Sequence, residues 1–232
     1  PALTYTFAPA LVGTDTFTGS LSRLPGENVG TYAINQGTLA LNGNYTLTYI
    51  GADLTIGAKT VTVTAAAKSK TYGDADPALT YTFAPALVGT DTFTGSLSRL
   101  PGENVGTYAI NQGTLTLNGN YTLTYIGADL TIGAKTVTVT AAAKSKTYGD
   151  ADPALTYTFA PVLVGTDTFT GSLSRLPGEN VGTYAINQGT LALNGNYTLT
   201  YIGADLTIGA KTVTVTAAAK SKTYGDADPA LT

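Results

Sequence analysis

The sequence repeats itself with a period of 76 residues. Residues 1, 77, 153 and 229 are all proline, and each opens the same text, beginning PALT. The three full copies differ only at the positions of Ala10 and Ala40 in the first copy, where Val162 and Thr116 stand in other copies. Self-similarity at a fixed period is typical of arrays of one small folding unit. The 232-residue chain is therefore predicted to be a tandem array.

Alternation of apolar and polar residues dominates every copy. Val61 and Val63 alternate with threonines in KTVTVTA, and Tyr45, Leu47 and Tyr49 alternate with polar residues in NYTLTYI. A period of two is typical of half-buried antiparallel strands, and Thr, Val and Tyr suit a pleated surface. Only AAAKSK favours a helix, and it is too short to form one alone. The prediction is an all-β unit of about seven short strands with little or no helix.

A turn signal separates two of these strand patterns. Asn42 and Gly43 lie between the alternating runs TLAL and YTLTY. An Asn-Gly pair flanked by alternating apolar residues is a strong signal for a two-residue β-hairpin. We therefore predict that these two runs pair with each other.

The folding unit need not begin at the first residue. The best candidates for linkers are Gly57 and Ala58, Gly133 and Ala134, and Gly209 and Ala210, each pair lying between DLTI and KTVTVT. In this frame residues 59–134 and 135–210 are complete β domains. Residues 1–58 are an incomplete domain that lacks its first strand, and residues 211–232 supply a first strand and turn complementary to it. Linkers of about two residues are too short for independent tumbling of the domains.

Composition argues against several classes of function. The chain has no Cys or His, and its 12 Lys and Arg residues against 15 Asp and Glu residues give a net charge of −3. The basic residues are spread evenly over the copies, so we expect no nucleic-acid partner. No apolar run approaches the roughly 20 residues of a membrane-spanning helix, so we expect no membrane insertion. Without the commonest general base and without a thiol nucleophile, we expect no enzyme activity.

Several segments together resemble a known family. KTYGDADPALTYT is followed by GSLSR, ENVGTYAI, NYTLTY and DLTI in the same order along the array. This combination resembles the bacterial MBG-type adhesin repeat of the YGX type, and the YGD…P turn followed by the VGTYAI strand carries the resemblance. The resemblance implies small β-grasp-like or sandwich-like domains in tandem, in long secreted or surface adhesins. It implies no catalytic residues.

The YGDADP turn contains candidate metal ligands. Asp74 and Asp76, with Asp150 and Asp152 one period later, could bind calcium, because D-x-D turns provide two of the six to eight oxygens that Ca²⁺ takes. The alternative is that these carboxylates cap the turn by accepting backbone N–H groups. No EF-hand or RTX-type spacing is present, and no other cofactor is expected. The preceding Lys68–Lys70 stretch is interpreted as exposed.

Tandem near-identity, minimal linkers and few site-like residues predict a structural role. We expect a repeat module of an extended extracellular fibre or adhesin stalk at the cell surface. The alternative is a carbohydrate- or ice-binding adhesin module, because flat ranks of threonine on a sheet can bind such surfaces. Threonine is also a common filler of solvent-facing strand positions, and small sheets are rarely flat. Any glycan or surface ligand of the stalk would bind outside this segment.

The expected partner is another copy, head to tail. Residues 211–228 could complete residues 1–58 of another copy by strand addition, which would build a filament. In the second interpretation the sequence is a window of one longer continuous array. Residues 229–232 duplicate residues 1–4 and would compete with them for one place, which favours the long array.

Overall fold

The computed structural model describes residues 2–230. Pro1, Leu231 and Thr232, which belong to the predicted segments 1–58 and 211–232, lie outside the described residues. The described residues form strands, bridges and turns without a helix, so the all-β prediction is confirmed. Clustering of contacts divides the chain into two compact units. The first is Pro1–Lys70 with Asp74–Gly133, and the second is Thr71–Gly73 with Ala134–Thr232.

Seventeen strands follow one another along the described chain, and β4 to β10 recur one period later as β11 to β17. They are β1 Ser22–Arg23, β2 Gly30–Asn35, β3 Ala52–Ile56, β4 Lys59–Ala65, β5 Lys68–Thr71, β6 Tyr81–Ala84, β7 Ser98–Arg99, β8 Gly106–Asn111, β9 Tyr121–Ile126, β10 Ala128–Gly133, β11 Lys135–Ala141, β12 Lys144–Thr147, β13 Tyr157–Ala160, β14 Ser174–Arg175, β15 Gly182–Asn187, β16 Tyr197–Ile202 and β17 Ala204–Gly209.

Strands β4 to β10 form two sheets. One has the order β6-β4-β9, and the other has the order β5-β10-β8-β7. The chain changes sheet at every connection in this set except the one between β7 and β8. Strands β11 to β17 repeat this arrangement as β13-β11-β16 and β12-β17-β15-β14. Each set is a small sandwich-like domain.

The core lies between the two sheets of each domain. Ala65 of β4 packs against Ile110 of β8 and Leu130 of β10, and Ala141, Ile186 and Leu206 form the equivalent cluster. Alternation places the two valines of β4, at 61 and 63, on the inner face, where both are fully buried. The threonines between them take the outer face, as a period of two requires.

Parallel pairing is the main departure from the expected antiparallel fold. β4 pairs antiparallel with β6, but it pairs in parallel with β9, where Lys59 is opposite Tyr121 and Thr64 is opposite Ile126. β11 and β16 repeat the parallel pair. Periodicity of two does not distinguish the two directions, because side chains alternate in both. The long stretch between β4 and β9 supplies the crossover that a parallel pair needs.

The predicted hairpin at Asn-Gly is wrong. A turn does form there, since the Tyr121 N–H donates to the Asn118 carbonyl at 3.2 Å. The run before the turn makes only an isolated bridge between Thr94 and Thr116, while the run after it becomes β9 and pairs with β4. Gly119 also lacks the positive φ that the tight hairpin turn requires. Pairing with the distant β4 therefore prevails over the local signal.

Residues 1–58 contain only part of this fold. β1, β2 and β3 form one sheet with the register of the later copies. Residues 5–8 and 45–50 have the sequences of β6 and β9 but form no strand, and residues 211–217 have the sequence of β4 and form none either. The two flanking segments are thus strands only where a β4-type strand lies between them.

We expect Leu130→Ala to destabilise the first unit by about 2–5 kcal/mol, because a fully buried leucine is lost between the sheets. Hydrogen exchange should show faster exchange of the β8 and β10 amides, while β15 and β17 stay protected. Leu206→Ala is the matched variant in the second unit and should give the reciprocal pattern. Equal loss of protection in both units from either variant would contradict this assignment of the cores.

Candidate functional site: ion clusters and contacts between copies

The YGDADP turn is held by an ion cluster. The Asp76 carboxylate accepts from Arg99 Nε at 2.5 Å and from Arg99 Nη2 at 3.2 Å, and it pairs with Lys70 Nζ at 2.7 Å. Lys70 also donates to the backbone carbonyl of Asp74 at 3.1 Å. The interpretation of Lys70 as exposed is wrong, because only 4% of its side chain is exposed. Strand alternation in β5 turns Lys70 inward on the side where the carboxylates lie.

Glu103 completes the cluster. Its carboxylate pairs with Lys70 at 2.5 Å and also with Arg99. The Arg99 guanidinium lies over the Tyr108 ring, 5.5 Å from its centroid, and donates to the Gly102 carbonyl at 2.6 Å. A Cβ on Gly102 would lie 2.1 Å from that ring, so this close approach requires glycine. The cluster recurs in the second unit, at Lys146, Asp152, Arg175 and Glu179.

These contacts shift the ionisation of their members. Hydrogen bonds from Arg99, and then from Lys70, lower the pKa of Asp76 to about 2. Hydrogen bonds from Lys70, and then from Arg99, lower the pKa of Glu103. The same pairs raise the pKa of Lys70, with Asp76 as the largest cause and Glu103 next. All of these groups are therefore charged near neutral pH. Two cations and two anions stabilise the turn.

The predicted calcium ligands lie in this turn. The carboxylates of Asp76 and Asp152 contact basic side chains, whereas Asp74 and Asp150 accept lysine donors through their backbone carbonyls. Within residues 2–230, no group of three acidic side chains is placed to hold a metal ion. The basic partners account for the geometry of Asp76 without a metal, and calcium binding by the turn stays a prediction.

The first contact between copies joins two loops of the first unit. The Val29 N–H donates to Asn120 Oδ1 at 2.8 Å, and Asn120 Nδ2 donates to Asn28 Oδ1 at 2.9 Å. The partners are 91 and 92 residues apart, which is more than one period. The contact therefore cannot form inside one copy. Asn120 belongs to the NGN turn that precedes β9, so this turn serves as a connection between copies.

The second contact lies in the second unit and uses the tyrosine of the YGD turn. Tyr72 donates its hydroxyl to Asp167 Oδ2 at 2.9 Å, across 95 residues, and its ring packs edge-on against Tyr197 with centroids 5.4 Å apart. Tyr197 donates to the same oxygen at 2.7 Å and accepts from the Val164 N–H at 2.8 Å. A Cβ on Gly73 would lie 2.4 Å from a Val164 methyl, so the YG pair fits closely against this patch.

Asp167 is the electrostatic centre of this contact. It accepts from Tyr72 and Tyr197 on one oxygen and from Asn194 Nδ2 on the other, at 2.9 Å. Hydrogen bonds from Tyr197, and then from Tyr72, lower the pKa of Asp167. The same interaction with Asp167 raises the pKa of Tyr72. The contact is thus a neutral phenol donating to a carboxylate.

Sequence reasoning missed these two contacts. The Asp–Tyr–Asn group that receives Tyr72 exists twice more, as Asp91 with Tyr121 and Asn118, and as Asp15 with Tyr45 and Asn42. Its members are 27 and 30 residues apart, a spacing that no local pattern indicates. The signal that could have found it is the YGD tyrosine, an aromatic residue in a polar turn with no strand face to occupy.

The predicted linkers lie at strand junctions. Gly57 and Ala58 separate β3 from β4, Gly133 ends β10 with Ala134 before β11, and Gly209 ends β17 with Ala210 after it. The threonines of the predicted binding face do come together on the outer face of the β6-β4-β9 sheet. Register places Thr60 beside Thr122, Thr62 beside Thr124, and Thr64 beside Thr82.

Three stretches of the chain match one protein family. The family described as MBG domain (YGX type) matches three times, over residues 1–55, 61–131 and 137–207. No curated protein and no solved structure matches the chain. No helix long and apolar enough to cross a membrane occurs in the part of the chain that the structure describes.

We expect the ion cluster to stabilise the fold in a pH-dependent way. The pKa of Asp76 is lower in the folded state than in the unfolded chain, so its contribution is fully present above about pH 4 and is lost as the pH falls toward about 2. Carbon-detected NMR should place the Asp76 titration midpoint at about 2. Asp76→Asn should flatten the acid dependence of amide protection in β5 and β10. Asp74→Asn is the control, and a midpoint for Asp76 near the usual aspartate value would refute the cluster.

We expect Tyr72→Phe to loosen the contact centred on Asp167, because it removes one of three donors while keeping the ring. The reporter is the Val164 amide, whose exchange should become a few-fold faster, as expected for loss of one modest hydrogen bond. Tyr148→Phe is the matched control, because Tyr148 is the equivalent residue one period later and is 47% exposed. Identical exchange rates in both variants would argue against the contact.

Proposed function

Because this chain belongs to the MBG domain family of the YGX type, we propose that it is a structural module of an extended extracellular fibre or adhesin stalk. The observation that carries the proposal is the pair of hydrogen-bonded contacts that span 91 to 95 residues, more than one period. Contacts of this span connect neighbouring copies by side chains as well as by the chain itself. An array held in this way transmits load along its length.

The proposal takes residues 59–134 and 135–210 as the working domains. Core packing supports both domains, and the division of the chain into units supports the boundary between them. β4 and β10 pack against each other through Ala65 and Leu130, β11 and β17 contribute the equivalent Ala141 and Leu206, and the contact units divide at Gly133. Each pair of strands lies at the two ends of its proposed domain. Closing a domain therefore brings its beginning and end together, and the next domain starts after about one to two linker residues.

We propose a bacterial surface location and no catalytic role. Charged side chains of the described residues have structural partners: Asp76 pairs with Arg99 at the YGDADP turn, and Asp167 accepts a hydrogen bond from a neighbouring copy. Calcium, if it binds at the YGDADP turns, would likewise have a structural role and would make these turns more rigid. The partner in this proposal is the same module, arranged head to tail.

The threonines on the outer face of the β6-β4-β9 sheet support a second candidate function, that of a glycan- or ice-binding adhesin module. Its specific support is the registered threonines on three adjacent strands, of which Thr60, Thr64 and Thr122 are exposed. Ice-recrystallisation and glycan-array assays of the chain distinguish it from the stalk. Activity that disappears in Thr60→Lys would favour this candidate.

Immunogold electron microscopy of the intact producing cells tests the stalk proposal. Antibodies raised against the recombinant chain should label filaments outside the cell, with gold particles at a regular axial spacing. Antibodies pre-absorbed with the recombinant chain are the control and should leave the filaments unlabelled. Labelling confined to the cell interior, or to the surface without filaments, would overturn the proposal.

A further inference from the structure

The first and last segments of a complete domain run side by side. In the second complete domain, residues 135–147 contain β11 and β12, and residues 197–209 contain β16 and β17. β11 is parallel to β16, with Lys135 opposite Tyr197. β12 is parallel to β17, and its partners have the same separation along the chain. One parallel register therefore continues through both sheets, and we call these two segments the terminal strand pair.

Backbone hydrogen bonds extend this register at both ends. At the beginning of the pair, the Lys135 N–H donates to the Asn196 carbonyl at 3.0 Å. At the other end, the Tyr148 N–H donates to the Gly209 carbonyl at 2.8 Å. The ladder thus accompanies both segments from one sheet into the other.

The first and last strands of the domain are both internal strands of their sheets. β11 lies between β13 and β16, and β17 lies between β12 and β15. Val137 and Val139 of β11 are fully buried, and so are Leu206 and Ile208 of β17. Neither strand can move without breaking hydrogen bonds on both of its edges and exposing apolar side chains to water.

The chain enters and leaves the domain at opposite ends of the terminal strand pair. It enters β11 from Ala134 and leaves β17 at Ala210. Because the paired strands are parallel, tension between these two residues pulls the strands along each other in opposite directions. If the pair were antiparallel, the same tension would separate it from one end, one hydrogen bond after another.

Tension along the chain therefore loads the hydrogen bonds of the pair together. Each bond contributes modestly by itself, but sliding requires many of them to break in the same event. We infer that each complete domain is a mechanical clamp, which resists tension along the array and opens in one step when its terminal strand pair slides.

The first complete domain has the same arrangement. Its β4 is parallel to β9, with Lys59 opposite Tyr121, and β5 lies beside β10. Tension between Ala58 and Ala134 loads this pair in the same way. The use of the clamp in a stalk rests on the proposed function, whereas the clamp itself depends only on the directions of the strands.

Single-molecule force spectroscopy along two directions tests the inference on the full chain, which has no native cysteine. Handles attached at Ala134→Cys and Ala210→Cys load the terminal strand pair in shear. Handles attached at Ala134→Cys and Gly195→Cys separate β11 from β16 at one end, because Gly195 precedes β16. A Cβ at Gly195 meets no atom within 4 Å and its φ is not positive, so the site accepts cysteine.

We expect one all-or-none step in the shear direction, at a rupture force several-fold higher than in the peeling direction at the same loading rate. Forced unfolding follows the unfolding rate, and sliding has the higher barrier. Handles at Ala58 and Ala134, compared with Ala58 and Gly119, repeat the test in the first complete domain and should give the same ratio. Equal rupture forces in the two directions would overturn the inference, as would stepwise opening in shear.

The outcome is separable from that of the proposed function. High resistance in shear, together with no labelled filaments on cells, would support the clamp and reject only the stalk. Labelled filaments together with equal rupture forces would support the stalk and reject the clamp.

Discussion

The placement of one strand, KTVTVTA, between two neighbours is the constraint on which each domain depends. β4 and β11 each bury two valines completely and pair on both edges. Where residues 5–8 and 45–50 lack such a strand, their backbone forms no ladder, although their sequences are those of β6 and β9. A central strand satisfies backbone groups on both sides at once, so its neighbours cannot form the sheet without it.

The charged residues serve the same architecture. Lys70 and Asp76 close the turn that carries Tyr72. Arg99 pairs with Asp76, and Glu103 pairs with Lys70. Isolated surface ion pairs stabilise proteins little, but four charges in one network with a ring under the guanidinium restrict the geometry of the turn. The geometry of this turn determines the position of the Tyr72 hydroxyl. Electrostatics and packing are therefore linked within a few residues of the YGD motif.

Much of the strand content could be predicted from alternation. The buried faces of β4 and β10 follow the apolar positions Val61, Val63, Leu130 and Ile132. Three predictions from the sequence were wrong: the hairpin at Asn-Gly, antiparallel pairing throughout and an exposed Lys70. Each of these features depends on a partner far along the chain: β4 for β9, and Glu103 for Lys70. Local patterns contain no information about which distant segment provides that partner.

The sequence by itself determined the period, the all-β class and the inner and outer face of each strand, because these follow from residue order and the two-residue repeat of a pleated chain. Only the tertiary structure decided which strands are neighbours, in which direction they run, and that Tyr72 and Asn120 connect one copy to another. The physical reason is that pairing and side-chain contacts over more than one period depend on how whole sheets pack. The packing energy is shared among many residues, so no single segment of the sequence predicts these contacts.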